Sequence, residues 1–111
     1  MKRKYRLKKS ADFMRVRRFG KSYAHPLIVL IKHPNDSNTL RIGVAAGRSM
    51  GNAIQRNLSK RRLREIIRPT IPAIQTGWDI ILLARKQLLK ATMDDLHTSL
   101  YNILKRSELL K

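Results

Sequence analysis

The chain has 111 residues, enough for one domain with its own core, and carries 25 Lys and Arg against 7 Asp and Glu, a net charge of +18. That surplus points to a polyanionic partner, nucleic acid first and an anionic membrane surface second. There is no cysteine for a disulfide, a thiolate zinc site or a nucleophile, no apolar run nears the ~20 residues of a membrane span, and no apolar stretch follows basic residues 1–9, so a signal peptide is not expected and a cytoplasmic protein is.

The opening MKRKYRLKK reads as a flexible basic segment at the head of a single domain spanning residues 1–111. Ser10 is a candidate N-cap with Asp12 in the first turn, opening a helix over about Ala11–Arg18 that stops at Gly20. Phe13 and Val16 share a face of that helix. Leu27–Ile31 is an apolar run bounded by Pro26 and the turn-rich HPNDSNT, and Leu40–Ala46 is a second strand. The turn between them predicts a hairpin.

Gly47–Gly51 is a loop of small residues that carries Arg48, and Asn52 reads as the N-cap of a helix running to about Arg68, before Pro69. Thr70–Thr76 is a connection. Trp78–Ala84 is almost wholly apolar and suits a buried central strand. Thr92 with Asp95 resembles a capping box for a last helix with Met93, Leu96, Leu100, Ile103 and Leu104 on one face. The order helix, strand, strand, helix, strand, helix describes an α+β sandwich, with helices packed on a sheet.

The segment 51–68, GNAIQRNLSKRRLREIIR, is the most informative. On a helical wheel Asn57, Lys60, Arg61, Arg64 and Arg68 form one stripe, with Arg56 and Arg62 flanking it. Ile54, Leu58, Leu63 and Ile66 fall on the opposite side and are expected to be buried. Such a helix is about 25 Å long. Like charges at i,i+4 oppose helix formation, a cost that a bound polyanion reverses. The alternative is a plain solvated face, which the near absence of opposite charge disfavours.

The flanking strands argue against a helix-turn-helix, so RNA is preferred over DNA. Aromatic platforms are scarce. Phe13 and Phe19 are placed to stack on a base, although Phe13 serves equally well as core.

Gly51-Asn52-Ala53-Ile54, Arg56-Asn57, Lys60-Arg61 and Leu63-Arg64-Glu65 resemble the signature of the bacterial ribonuclease P protein component. The resemblance extends to Leu7-Lys8-Lys9 with Asp12-Phe13, to Arg41-Ile42-Gly43, and to Gly77-x-Asp79-Ile80 with Ala84-Arg85. It implies a single-domain α/β sandwich like the second domain of ribosomal protein S5. Its central, mostly antiparallel sheet would carry three helices and a left-handed βαβ crossover. It implies a cofactor of a catalytic RNA that removes the 5′ leader from precursor tRNA. The active site and its Mg²⁺ would lie on the RNA, with no catalytic or metal-ligating residue on this chain and one protein per RNA.

Carried over by position, the RNA-binding residues are Arg48, Asn52, Arg56, Asn57, Lys60, Arg61, Arg62, Arg64 and Arg68, and the leader cleft is Phe13, Arg17, Arg56 and Lys60. Three positions depart from the family pattern. Leu58 stands where the family carries arginine, Gly47-Arg48-Ser49 has one cation fewer than the usual loop, and Arg17 replaces a second aromatic.

The rival reading is a small structural RNA-binding protein such as a ribosomal one. A nuclease in its own right would draw on His25, His33 and His97, which no spacing pairs. Asp94 and Asp95 fit first-turn acids better than a metal site. The β content argues against a membrane-surface peptide.

Overall fold

In the computed structural model, which describes all residues 1–111, the sheet is built around its most apolar segment. The strands are β1 (Lys21–Ala24), β2 (Ile28–Pro34), β3 (Leu40–Ala46) and β4 (Trp78–Ala84), in the order β1-β2-β4-β3. The pairs β1/β2 and β2/β4 are antiparallel and β3/β4 is parallel, so the sheet is mixed. Ile80, Ile81 and Leu82 of β4 are wholly buried. An apolar run of this kind needs cover on both faces and neighbours on both edges, which puts it inside the sheet.

That placement overturns the expected β2–β3 hairpin. β4 lies between the two strands, and the loop joining them crosses its head. There Asn35 N–H donates to Gly77 O at 3.0 Å, and Gly77 N–H donates to Thr39 O at 2.7 Å. β1 was not foreseen, because a four-residue KSYA strand carries too little pattern to read.

Three helices cover the sheet: α1 (Ser10–Phe19), α2 (Ala53–Ile67) and α3 (Met93–Arg106). Strand alternation sorts them between the faces. Leu30, Ile42, Ile80 and Leu82 point toward α2 and α3, joining Leu63, Ile66, Ile67, Leu96, Leu100 and Ile103 in one core. Ile31 and Ile81 point the other way and pack with Val16 of α1 and Leu7. The parallel β3/β4 pair is connected through α2, a βαβ crossover.

The helix starts follow local chemistry. α2 has a full capping box: Asn52 Oδ1 accepts from Gln55 N–H, and Gln55 Oε1 accepts from Asn52 N–H, both at 3.0 Å. Thr92 and Asp95 form the same box on α3. For α1 the cap falls on Lys9 and not on Ser10, and no side chain supplies a cap bond.

Two further expectations are corrected. Residues 1–9 are not a loose tail. Leu7 is 5% exposed, its N–H donates to Ile42 O at 2.9 Å, and Arg6 bridges β3 in parallel. One buried leucine among basic residues gives no periodic signal. The apolar side of α2 is also narrower than the wheel predicts. Ser59, Leu63, Ile66 and Ile67 are buried, whereas Ile54 is 78% and Leu58 37% exposed. The first turns of α2 project past the layer that buries the rest. Met93 is likewise exposed at the start of α3.

Candidate RNA interface

The Gly51-Asn52 pair that opens the motif builds the start of the helix. Gly51 has φ +108°, and a Cβ there would sit 1.8 Å from Gln55 Oε1, the atom that completes the capping box. A side chain at 51 would therefore strain the backbone and break the box. Asn52 spends its amide oxygen on the same box. Its placement among the RNA-binding residues rests on resemblance; its visible task is to start α2. The buried Met50 anchors the turn before it, leaving the Arg48 side chain exposed with no hydrogen-bond partner.

Beyond the cap, Arg56, Lys60, Arg64 and Arg68 follow one another at i+4, about 6 Å apart along the axis. None of the four has a carboxylate within salt-bridge distance. Burial first, and the nearby Arg6 second, push the Arg64 guanidinium below its ordinary value. An anion between Arg6 and Arg64 would relieve that repulsion.

The other two arginines of the helix are engaged. Arg61 pairs with Glu65 at 3.2 Å, and Arg62 donates to Leu89 O at 3.1 Å. Asn57 is exposed and unbonded beside the ridge, as is Leu58 on the far side.

The opposite face of the sheet carries Phe13. Its ring lies over Gly43 of β3, where a Cβ would meet the ring at 2.4 Å. α1 is held there by charge. Asp79, wholly buried, accepts from Arg41 Nε at 2.8 Å and from Arg41 Nη2 at 2.7 Å. It also accepts from Arg15 at 3.2 Å and from Asn35 at 3.1 Å, and Arg15 returns to Asp12 at 2.8 Å. The Asp79 hydrogen bond raises the Arg41 guanidinium above its ordinary value.

In the sequence Asp79 stands out only as part of a motif. A lone carboxylate inside an apolar strand was the available signal that it needed buried partners.

α1 leaves part of its face open. Val29 and Leu83 are only partly buried beside Phe13, and Arg17, one turn on, is exposed without a partner. The open strip ends where β3 passes into the Arg48 loop. Phe13 and Arg17 therefore do not share a sheet face with Arg56 and Lys60. β3 is the strand the two sides share: Phe13 rests on its Gly43, and α2 packs against its other face.

No group of three His, Cys, Asp or Glu side chains is placed to hold a metal ion. Asp94 and Asp95 are exposed, and Asp95 caps α3. The three histidines do not assemble. His25 Nδ1 accepts from Leu27 N–H at 3.2 Å, His33 Nδ1 is buried without a partner, and His97 is exposed. No helix is long and apolar enough to cross a membrane.

Known proteins share this arrangement. The family model for Ribonuclease P matches residues 1–108. The ribonuclease P protein component of Herpetosiphon aurantiacus is 35% identical over 109 residues, covering 98% of this chain and 89% of its own. The Staphylococcus aureus RNase P protein superimposes with a TM-score of 0.85 at 32% identity, covering 96% of this chain and 98% of the other. A mutant of that protein, described as having defective mRNA degradation activity, superimposes at 0.86 with 33% identity and coverages of 96% and 90%. The RNase P protein from Thermotoga maritima gives 0.81 at 31% identity, with coverages of 91% and 96%. The chain belongs to the ribonuclease P protein family.

Proposed function

We propose that this chain is the RNA-binding subunit of ribonuclease P and that the bond-breaking chemistry of tRNA 5′ maturation is carried out by the RNA subunit. The observation that carries this reading is the unpaired ridge Arg56, Lys60, Arg64 and Arg68 on the motif helix, four cations with no internal counter-charge. Phosphates of the RNA subunit would sit on that ridge, with Asn57 and Arg48 beside it. The single-stranded leader of precursor tRNA would cross the open strip on the α1 face, where Phe13 offers a ring edge and Arg17 a charge.

Mg²⁺ belongs to this reading as an ion held by the RNA subunit and the substrate phosphates, because the carboxylates here are capping, paired or isolated. The protein assists by screening phosphate repulsion and positioning the leader, which lowers the Mg²⁺ needed. One protein per RNA, working in the cytoplasm, completes the proposal.

The test is the salt dependence of RNA-subunit binding. Removing Lys60, Arg61 and Arg64 together should lower the slope by about one per lost phosphate contact. Arg61, paired with Glu65, should contribute least. An unchanged slope would place the ridge away from RNA.

A second reading, ribonuclease action by the protein itself, has one point in its favour: the mRNA degradation activity ascribed to the S. aureus protein. Incubating the purified chain with mRNA and with precursor tRNA separates the two, since the proposed function expects neither to be cut.

A further inference from the structure

At the opposite edge of the sheet from α2, β1, the end of β2 and the end of α3 enclose a cleft of about 430 Å³. That volume lies in the range of sites for small ligands and single nucleotides. Phe19, Lys21, Tyr23, Lys32, Trp78 and Arg106 line it. Lys21 and Lys32 stand directly opposite each other across the β1/β2 pair, a like-charge juxtaposition that weakens a sheet.

The two lysines are not equivalent. Lys32 is structural: its Nζ sits 4.5 Å from the Trp78 ring centroid and donates to Ser107 O at 2.6 Å. Lys21 makes no side-chain hydrogen bond or ion pair, and its Nζ lies 5.5 Å from the Tyr23 ring centroid. Arg106 Nη1–H donates to Ala24 O at 2.7 Å, and the guanidinium also lines the cleft. None of these cations has a carboxylate within 4.0 Å, although Glu108 lies on the rim. Phe19 projects beside them at 67% exposure, with the Arg18 guanidinium 5.5 Å from its ring centroid.

We infer that this cleft is a second RNA site, which takes one unpaired nucleotide with its base on Phe19 and its phosphate between Lys21 and Arg106. An exposed aromatic beside unpaired cations is the combination that single-stranded nucleic acid selects, because every base has a face to stack and every linkage a charge. The inference rests on the function proposed above and extends it to a surface that the motif helix does not reach. The nucleotide belongs either to the RNA subunit or to precursor tRNA.

The test compares Phe19→Ala and Lys21→Ala with a control, Lys111→Ala, in holoenzyme reconstituted with a bacterial ribonuclease P RNA. Binding of the RNA subunit and of precursor tRNA is titrated against salt. Phe19→Ala should weaken one of the two complexes about fivefold or more, the loss of a stacked base. Lys21→Ala should lower the salt slope of that same complex by about one. Which complex responds names the source. Both side chains are exposed, so neither change empties the core.

As a second readout, a photoreactive benzophenone side chain at position 19 should crosslink to RNA in the holoenzyme. Variants that match Lys111→Ala on both RNAs, or a crosslink only to protein or to nothing, overturn the inference. If 5′ cleavage at low Mg²⁺ survives that outcome, the proposed function stands without this site.

Discussion

Gly43→Ala tests whether Phe13 owes its place on the cleft side to the bare backbone beneath it. An added Cβ would lie 2.4 Å from the tip of the ring and 2.8 Å from a neighbouring ring carbon. That is more than ~1 Å inside the ~3.5–4.0 Å optimum for carbon pairs, so the ring must move. The expected cost is about 1–2 kcal/mol, at the lower end for overpacking because a ring tip can swing away. Phe13→Ala should cost about 2 kcal/mol, below the ~3–5 kcal/mol of a fully buried Phe, because Phe13 keeps part of its surface exposed.

In the double variant the new methyl occupies space the ring has left. The pair should then cost about 2 kcal/mol and not the sum of about 3–4, a coupling beyond the ~0.5 kcal/mol of independent sites. Urea unfolding at fixed salt measures all three variants against wild type. Additive effects would show that Phe13 does not rest on Gly43. A leader-binding assay adds the functional side. Either single variant should weaken leader-bearing tRNA more than mature tRNA, and equal effects on both would make Phe13 core only.

Asn52→Ala should destabilise the protein by about 1 kcal/mol through loss of the capping box, with the affinity of the folded protein for RNA at fixed salt unchanged. A clear loss of that affinity would assign Asn52 to RNA. Leu58→Arg, which restores the family's cation on an exposed surface, should raise the salt slope of RNA binding by about one, and no rise would show that RNA does not pass that side of α2. Asp79→Ala should cost roughly 2–4 kcal/mol in unfolding experiments, because it strands Arg41 and Arg15, both partly solvated. A loss under ~1 kcal/mol would mean the network does not hold α1. His25 should make stability pH-dependent. Burial first, and Arg106 second, lower its folded-state pKa, so the unfolded chain binds the proton more tightly. Its contribution is present above the ordinary value of about 6.5 and is lost as pH falls through the folded value. His25→Gln should flatten that part of the profile.

Much of the fold was legible because its elements carry strong local signals. Trp78–Ala84 is a strand over the span its apolar run marks, and Asn52 and Thr92 cap the helices that follow them, as their side chains and spacing predict. The pairing of β2 with β4 was not legible, because a turn sequence reports that the chain reverses and not which strand it meets next. Ile54 and Leu58 show the same limit. Helical spacing tells which residues share a side, whereas burial depends on whether another layer lies beneath that turn.

For the candidate site, the cations were visible in the motif. Their division into the free ridge of Arg56, Lys60, Arg64 and Arg68 and the engaged Arg61 and Arg62 needed Glu65 and the Leu89 carbonyl in place. The cleft beside Phe19 draws on three strands and the ends of two helices, which no local pattern brings together.

The most direct measurement is 5′ cleavage of precursor tRNA by a bacterial ribonuclease P RNA across a Mg²⁺ titration, with and without this protein. The account predicts that the protein shifts the Mg²⁺ requirement downward, that the shift shrinks when Lys60, Arg61 and Arg64 are removed, and that protein alone cuts nothing. Cleavage by the protein without RNA, or a Mg²⁺ curve the protein leaves unmoved, would contradict it.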